Sequence, residues 1–370
     1  MCGMLSPAPK RVLLTADAVG GVWTHALDLA RGLAEVGVAV TLAVLGPKPG
    51  RGQRDAAAIP GVDLAVTGLP LDWDMALGPA SIRATGFAIA ALARGVGADL
   101  VHLNSPSLAA FAEFPAPVVG GCHSCLATWW QAVKGEAPMP ANFAWRRDLL
   151  HAGYRRCRAL VAPSRSFAEA TQACYGLGQA PQVVHNGRSG IAAGQGESER
   201  SVFTAGRLWD AGKNLAVLAR AASFVDAPIQ AAGPLRSPHG ESLRLDGLQL
   251  LGEIGTDAVA RHLARRPVFV STARYEPFGL AVLEAALAGC ALVLADIPSF
   301  RELWDGAATF VPPSDEHRLA AALNALIDDP VARSRAGAAA AARAGRYTVD
   351  GMLQGMLSVY GEALGVQAVA

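Results

Sequence analysis

The chain has 370 residues, too many for one ordinary hydrophobic core, and typical domain sizes set an expectation of about two domains. Hydrophobic residues make up 52% and charged residues only 17%, which suits a well-buried α/β protein and does not suit disorder. The 32 basic and 31 acidic side chains nearly cancel, so no global field recruits nucleic acid, and any contact with an anionic membrane must use a local patch.

From the start of the chain, Met1 to Lys10 lacks the basic and apolar regions of a signal peptide, and no apolar run reaches the ~18 residues of a membrane span, so the expected location is cytoplasmic. Arg11 to Thr15 (RVLLT) is a short apolar strand that opens into Gly20-Gly21 and an amphipathic helix from Val22 to Glu35. A second strand follows at Val38–Leu45, and further apolar runs at Ala98–Leu103, Pro117–Gly120 and Ala159–Ala162 alternate with helical stretches. That alternation predicts a parallel sheet covered on both faces.

Between His185 and Ser201 the periodicity gives way to glycine, serine and charge, which marks a linker. The pattern restarts at Val202–Ala205, Ile229–Ala232, Leu248–Leu251, Val268–Ser271, Ala291–Ala295 and Thr309–Val311, a second doubly wound set. No short repeat is present, and the alanine-rich patch Ala336–Ala344 has good helix composition. The six cysteines are scattered through a long chain and are read as reduced.

Chemistry concentrates in a few loops. In Tyr275-Glu276-Pro277-Phe278-Gly279-Leu280-Ala281-Val282-Leu283-Glu284, two carboxylates flank a loop-to-helix transition after a buried strand. Pro277 and Gly279 suit a helix start, where free backbone N–H groups attract a diphosphate, and Glu284 then accepts from ribose hydroxyls. The bland alternative is a helix-terminus anion at Glu276 and a solvated charge at Glu284. Gly206-Arg207 and Lys213 place two cations in a turn after the first strand of the second half, either a phosphate clamp at a switch point or ordinary surface charge. Gly20-Gly21 either admits a ligand close to the backbone or forms a tight turn. His123, after the strand PVVG, either projects into a crevice or is a satisfied structural histidine.

Taken in order, these residues resemble the retaining glycosyltransferases of family 4 over nearly the whole chain. The resemblance rests on Gly20-Gly21, His123, Ala162-Pro163-Ser164, His185-Asn186-Gly187, Gly206-Arg207 with Lys213, Leu251-Gly252, and Glu276 with Glu284. It implies the GT-B architecture: two facing Rossmann-like doubly wound domains with a cleft between them. Residues 1–187 then form the acceptor-side domain, 188–200 the linker, 201–348 the nucleotide-sugar donor domain, and 349–370 a final helix returning to the first domain.

The same resemblance implies a hexose moved from a UDP- or GDP-linked sugar to a hydroxyl acceptor (glycan, lipid-linked or small molecule), with retention and no required metal or other cofactor. Arg207 and Lys213 hold the departing diphosphate, and Glu276 contacts the transferred sugar. Phe278, Gly279 and Leu280 form the phosphate loop, with Gly279 and Leu280 offering backbone N–H groups; Glu284 binds ribose, and Ile254 lies near the base. His123 touches the sugar near the reacting carbon, and Gly20-Gly21 approach the diphosphate. With no convincing carboxylate nucleophile, front-face attack is expected, the leaving phosphate helping to take the acceptor proton. The chain departs from the family at Arg188-Ser189, where a valine and an aspartate are common. Alternatives are a GT-B epimerase or hydrolase of nucleotide sugars, or a non-catalytic nucleotide-sugar-binding subunit.

Other signals weigh less. Gly20-Gly21 does not complete the dinucleotide fingerprint, which argues against a dehydrogenase. Cys122 and Cys125 are a single C-x-x-C pair with no second pair, weak as a redox or zinc motif. Asp72-Trp73-Asp74 imitates a metal-binding D-x-D but lies in a proline-flanked loop of the first half. Phe143 to Arg158 is a basic helix candidate, either solvated or resting on anionic lipid.

Overall fold

The computed structural model describes residues 9–74, 76–189, 198–236 and 245–365. The opening segment before residue 9, residues 190–197 of the expected linker and the last residues of the final segment lie outside the described ones. The chain divides into two compact units: Met1–Trp130, Glu136–Gly187 and Val349–Ala370 form unit 1, and Gln131–Gly135 with Arg188–Thr348 form unit 2.

In chain order the first stretch is β1 (Arg11–Asp17), α1 (Gly21–Glu35), β2 (Ala39–Leu45), α2 (Arg51–Ala56), β3 (Val62–Val66), α3 (Pro79–Gly95), β4 (Leu100–Leu103), β5 (Val118–Gly121), α4 (Leu126–Lys134), α5 (Ala141–Tyr154), β6 (Ala159–Ala162), α6 (Arg165–Tyr175) and β7 (Gln182–Val183). The second is β8 (Val202–Ala205), α7 (Leu215–Ala221), β9 (Ile229–Ala232), β10 (Gln249–Gly252), α8 (Thr256–Ala264), β11 (Val268–Ser271), α9 (Leu280–Leu287), β12 (Leu292–Ala295), α10 (Pro298–Trp304), β13 (Thr309–Val311), α11 (Glu316–Asp328) and α12 (Pro330–Ala344). Helix α13 (Val349–Ala363) closes the described chain and belongs to unit 1.

Each unit is built on one all-parallel sheet, ordered β3-β2-β1-β4-β5-β6-β7 in unit 1 and β10-β9-β8-β11-β12-β13 in unit 2. In both, the order reverses beside the unit's first strand, between β1 and β4 and between β8 and β11. At such a reversal the loops leaving the carboxyl ends of the strands diverge and open a crevice.

The central strands are continuous apolar runs because both faces are covered: Val12, Leu13, Leu14, Thr15 and Ala16 are all buried in β1. In unit 1 one face packs against α1 and α13 through Leu29, Leu33, Leu353, Met356 and Tyr360, and the other through Ile82, Ile89 and Leu108. Each such side chain contributes on the order of 1.5–3 kcal/mol when fully buried. In unit 2 Phe203, Phe269, Phe300 and Trp304 fill one face, and Leu218, Leu323 and Ile327 the other. Helix starts follow local chemistry. The Ser164 hydroxyl accepts from Phe167 N–H to cap α6, and the Asp329 carboxylate accepts from Val331 and Ala332 N–H, with Pro330 in the first helical position of α12.

Two strands escape the sequence reading, β3 and β7. Each lies at a sheet edge, where one side is open: in β3, Asp63 and Val66 are exposed, and β7 is only two residues long. The basic helix expected over 143–158 ends sooner, at Tyr154, and its charge is partly spent inward. Arg146 donates to the carbonyls of Asp74 and Leu77 and stacks on Trp145 at 4.1 Å. Among the described residues, no helix is long and apolar enough to cross a membrane.

Candidate functional site

The unit 2 crevice is assembled from the loops that leave β8 and β11. After β8, Gly206 adopts φ +151, and the glycine at the end of β9, Gly233 (φ +136), packs so tightly that a Cβ there would overlap the Gly206 carbonyl oxygen. Only glycine satisfies both the backbone conformation and the contact. The loop then tightens into a turn over Ala211–Lys213, capped by Asp210, whose carboxylate accepts from Gly212 N–H at 2.8 Å.

This turn is stapled to the β11 loop. Arg274 and Tyr275 N–H both donate to the Gly212 carbonyl, at 2.9 and 3.2 Å. The Thr272 hydroxyl donates to the carbonyls of Lys213 and Asn214, while the Asn214 amide, at left-handed φ 56, donates to the carbonyls of Thr272 and Pro313. The two loops therefore hold their charged side chains in fixed register.

Those side chains meet across the crevice. The Lys213 ammonium pairs with the Glu276 carboxylate, the two side chains being 22% and 15% exposed. Arg207 donates from one Nη to Asp210 at 3.1 Å, but its Nε is buried without a hydrogen-bond partner among the described residues. The Ser299 hydroxyl donates to the Glu276 carbonyl at 2.5 Å, tying the loop to the start of α10. A small pocket beneath is lined by Gly206, Lys213, Thr272, Glu276 and Val282 among others.

Gly279 stands at the start of α9 with φ +89, a left-handed turn that suits glycine, and the N–H groups of the first helical turn have no intrahelical acceptor. Leu280 begins the helix. Phe278 points the other way: its ring is buried and meets Tyr347 edge-on at 5.6 Å, so only its backbone faces outward chemistry. Ile254 is half-buried at the edge of the same core. Glu284 is engaged at one oxygen: Oε1 accepts from Arg188 Nε at 2.7 Å.

The unit 1 crevice has the same topology and different contents. Gly20 and Gly21 open α1 directly after β1, and neither has positive φ. His123 follows β5; its Nε2 lies 2.7 Å from Asn104 Oδ1. Asn104, just after β4, donates through Nδ2 to the Thr15 carbonyl, which turns its oxygen toward the imidazole. His25, one turn into α1, packs its ring on His123 with centroids 4.6 Å apart. His102 in β4 bonds the Tyr360 hydroxyl through Nδ1 at 2.7 Å.

A Cβ on Gly121 would fall 2.8 Å from His123 Nε2, 2.9 Å from Asn104 Oδ1 and 3.2 Å from His102 Nε2, so the polar groups converge where that glycine leaves room. Burial keeps all three imidazoles neutral. It lowers His102 to about 3 and His123 to about 4. His25 falls well below the ordinary range through burial first and its two histidine neighbours second, against a smaller opposing pull from Asn186.

Sequence reasoning singled out His123 and missed His25, His102 and Asn104. A histidine inside the apolar run Ala98–Leu103 was the available signal, since a buried polar ring in a central strand needs a partner. It also missed the stapling residues Asp210, Asn214 and Thr272.

The remaining candidates are structural. The Asp72 carboxylate accepts from the hydroxyls of Ser105 and Ser107 at 3.2 and 2.5 Å, and burial raises its pKa. Among the described residues, no group of three or more His, Cys, Asp or Glu is arranged to hold a metal ion. Cys122, Cys125, Cys157, Cys174 and Cys290 are free thiols, and burial pushes Cys157 and Cys290 up to about 12, far from a reactive thiolate.

Comparison with known proteins adds a second line. Residues 19–189 match the model of Glycosyltransferase Family 4, and residues 199–329 that of Glycosyl transferases group 1. The chain is 28% identical over 306 residues to a glycogen synthase of Mycobacterium tuberculosis, covering 73% of this chain and 70% of that protein. In fold it is similar to sucrose-phosphate synthase from Thermosynechococcus elongatus, with TM-score 0.79 and 16% identity over 97% of this chain and 100% of the other. It is also similar to Anabaena HepE, solved in complex with UDP and glucose, with TM-score 0.71 and 18% identity over 95% of this chain and 99% of the other.

Proposed function

The chain belongs to the GT-B glycosyltransferases of the family 4 kind, and from that premise we propose that it transfers a hexose from a UDP- or GDP-linked sugar to a hydroxyl acceptor, with retention and without a required metal. Unit 2 takes the donor and unit 1 the acceptor.

The observation that carries this reading is the paired Lys213 and Glu276 beside the half-satisfied Arg207, all on two loops stapled together at one switch point. A buried guanidinium N–H without an acceptor is costly, and a diphosphate oxygen satisfies it. Fixed cations stabilise charge as it develops on the leaving phosphate without reorganising, which is the largest lever such a site has. In this reading Lys213 and Arg207 hold the diphosphate, backbone N–H groups after Gly279 share it, and Glu276 accepts from a sugar hydroxyl while keeping Lys213 in place. Glu284 takes the ribose, and Ile254 borders the base. The acceptor hydroxyl attacks from the face that the phosphate leaves, and the phosphate oxygen takes its proton.

The complex of HepE with UDP and glucose supports a nucleotide-sugar donor. Thermal unfolding with UDP, GDP, UDP-glucose, GDP-mannose or NAD, with and without magnesium, tests it. A ligand at 100 times its dissociation constant adds about 2.7 kcal/mol of stability. Stabilisation by one diphosphate series, independent of magnesium, is expected and identifies the base; a response to NAD alone, or to none of the five, overturns the donor assignment.

A further inference from the structure

We propose that Arg188 is a positioning residue for the donor ribose, acting through Glu284; the inference deepens the donor reading above and rests on it. Arg188 is the first residue of unit 2, directly after Asn186-Gly187, and its Nε donates to Glu284 Oε1 at 2.7 Å. The two side chains are 13% and 17% exposed, so the pair is shielded from solvent. Its backbone is held as well, because Arg188 N–H donates to the Tyr347 carbonyl at 3.3 Å. Tyr347 in turn packs edge-on against Phe278, one residue before the glycine that starts α9, and its hydroxyl donates to the Leu303 carbonyl at 2.9 Å. Both ends of the ion pair thus stand on the same packed scaffold, Glu284 from within α9 and Arg188 from the segment that follows Gly187.

The consequence is chemical. A carboxylate alone on a helix offers two equivalent oxygens and rotates between them. With Oε1 committed to a charge-assisted bond, the group is fixed in one orientation, and Oε2, which has no hydrogen-bond partner among the described residues, is the single acceptor left for a ribose hydroxyl. Arg188 also supplies a counter-charge to the Glu284 carboxylate in a shielded place. A neutral residue at this position leaves Glu284 free to rotate and poorly compensated, so ribose recognition weakens while diphosphate recognition at Lys213 and Arg207 does not.

The test is calorimetric titration of UDP, GDP, their 2′-deoxy and 3′-deoxy counterparts and inorganic pyrophosphate into wild type, Arg188→Met, Arg188→Lys and Glu284→Gln. The expected result is about tenfold weaker binding of the preferred nucleoside diphosphate to Arg188→Met, with pyrophosphate unchanged and the loss abolished for one deoxy analogue. Arg188→Lys keeps the charge but not the planar donor geometry, so it shows the same hydroxyl-dependent loss at about threefold, and it decides the matter if the methionine variant does not fold. Equal weakening for natural, deoxy and pyrophosphate ligands, or no weakening, overturns the role of Arg188. If Glu284→Gln retains full discrimination of the deoxy ligands, Glu284 is not the ribose contact and the donor reading itself fails at that point. Discrimination lost in Glu284→Gln but kept in both Arg188 variants sinks only the present proposal.

Discussion

Two crevices of the same topology are furnished with opposite chemistry. The β8/β11 switch point of unit 2 holds formal charges in pairs, Lys213 with Glu276 and Arg188 with Glu284. The β1/β4 switch point of unit 1 holds neutral polar rings: His102 and His123 converge with Asn104 on the space beside Gly121, and His25 packs on His123. The strand order says where a ligand enters; the side chains delivered there say what it carries. Ion pairs on stapled loops suit a diphosphate, whose charge pays for their dehydration. Uncharged imidazoles suit hydroxyl groups, which need acceptors and donors but no counter-ion.

The comparison breaks most visibly in acid. The three imidazoles have folded pKa values below the ordinary 6.5, about 3 for His102 and about 4 for His123, with His25 lowered as well. The unfolded chain therefore binds protons first. Their contribution is complete above pH 6.5 and is withdrawn as the pH falls toward 4, at about 1.4 kcal/mol per pH unit for each buried ring. A loss of several kcal/mol is expected by pH 4.5, and hydrogen exchange should place the earliest opening in α1, β4 and β5; opening that begins in β8–β13 would contradict the assignment.

Lys213→Ala comes next. It removes a fixed cation from the charged crevice and should lower kcat/KM by on the order of 10²–10³-fold, the usual cost of deleting one electrostatic donor. His123→Ala, which removes a neutral group from the other crevice, should cost about tenfold. Steady-state rates with the donor identified by thermal shift compare the two, and equal losses would erase the distinction between the crevices. Gly121→Ala should destabilise by about 1–3 kcal/mol, because the added methyl crowds His123, Asn104 and His102 together. Denaturant unfolding measures it, and an unchanged midpoint would show that the histidine cluster has slack. The smallest effect is salt: raising ionic strength from 0.05 to 0.5 M should weaken nucleoside diphosphate binding about threefold, since the crevice charges are only partly shielded.

Much of the architecture was legible because central parallel strands are buried on both faces and write themselves as apolar runs. The runs at β1, β2, β4, β5, β6, β8, β9, β10, β11, β12 and β13 were found within a residue or two of their observed bounds. Strand β3, with Asp63 and Val66 exposed at an edge, gave no such run, and β7 is too short to give one. In the crevices, charged residues among glycines were conspicuous, so Arg207, Lys213, Glu276 and Glu284 stood out. His25 and His102 were hidden in apolar helix and strand, because nothing local tells a buried imidazole with partners from one without. Arg188 was visible only as an oddity; its partner lies 96 residues away in sequence and is brought to it by folding.

Helix α13 has a further consequence for how the protein is made. It belongs to unit 1, where Met352, Leu353, Met356 and Tyr360 complete the core begun by α1 and β1, and Tyr360 supplies the hydroxyl that bonds His102 Nδ1. On the ribosome the chain emerges from its amino end, so the sheet of unit 1 is synthesised first and finished last. Unit 2 is available to fold as soon as Thr348 is out, while the earlier-made half waits with an uncovered apolar groove along α1. Order of synthesis and order of completion are therefore reversed, and the half made first depends longest on protection from aggregation.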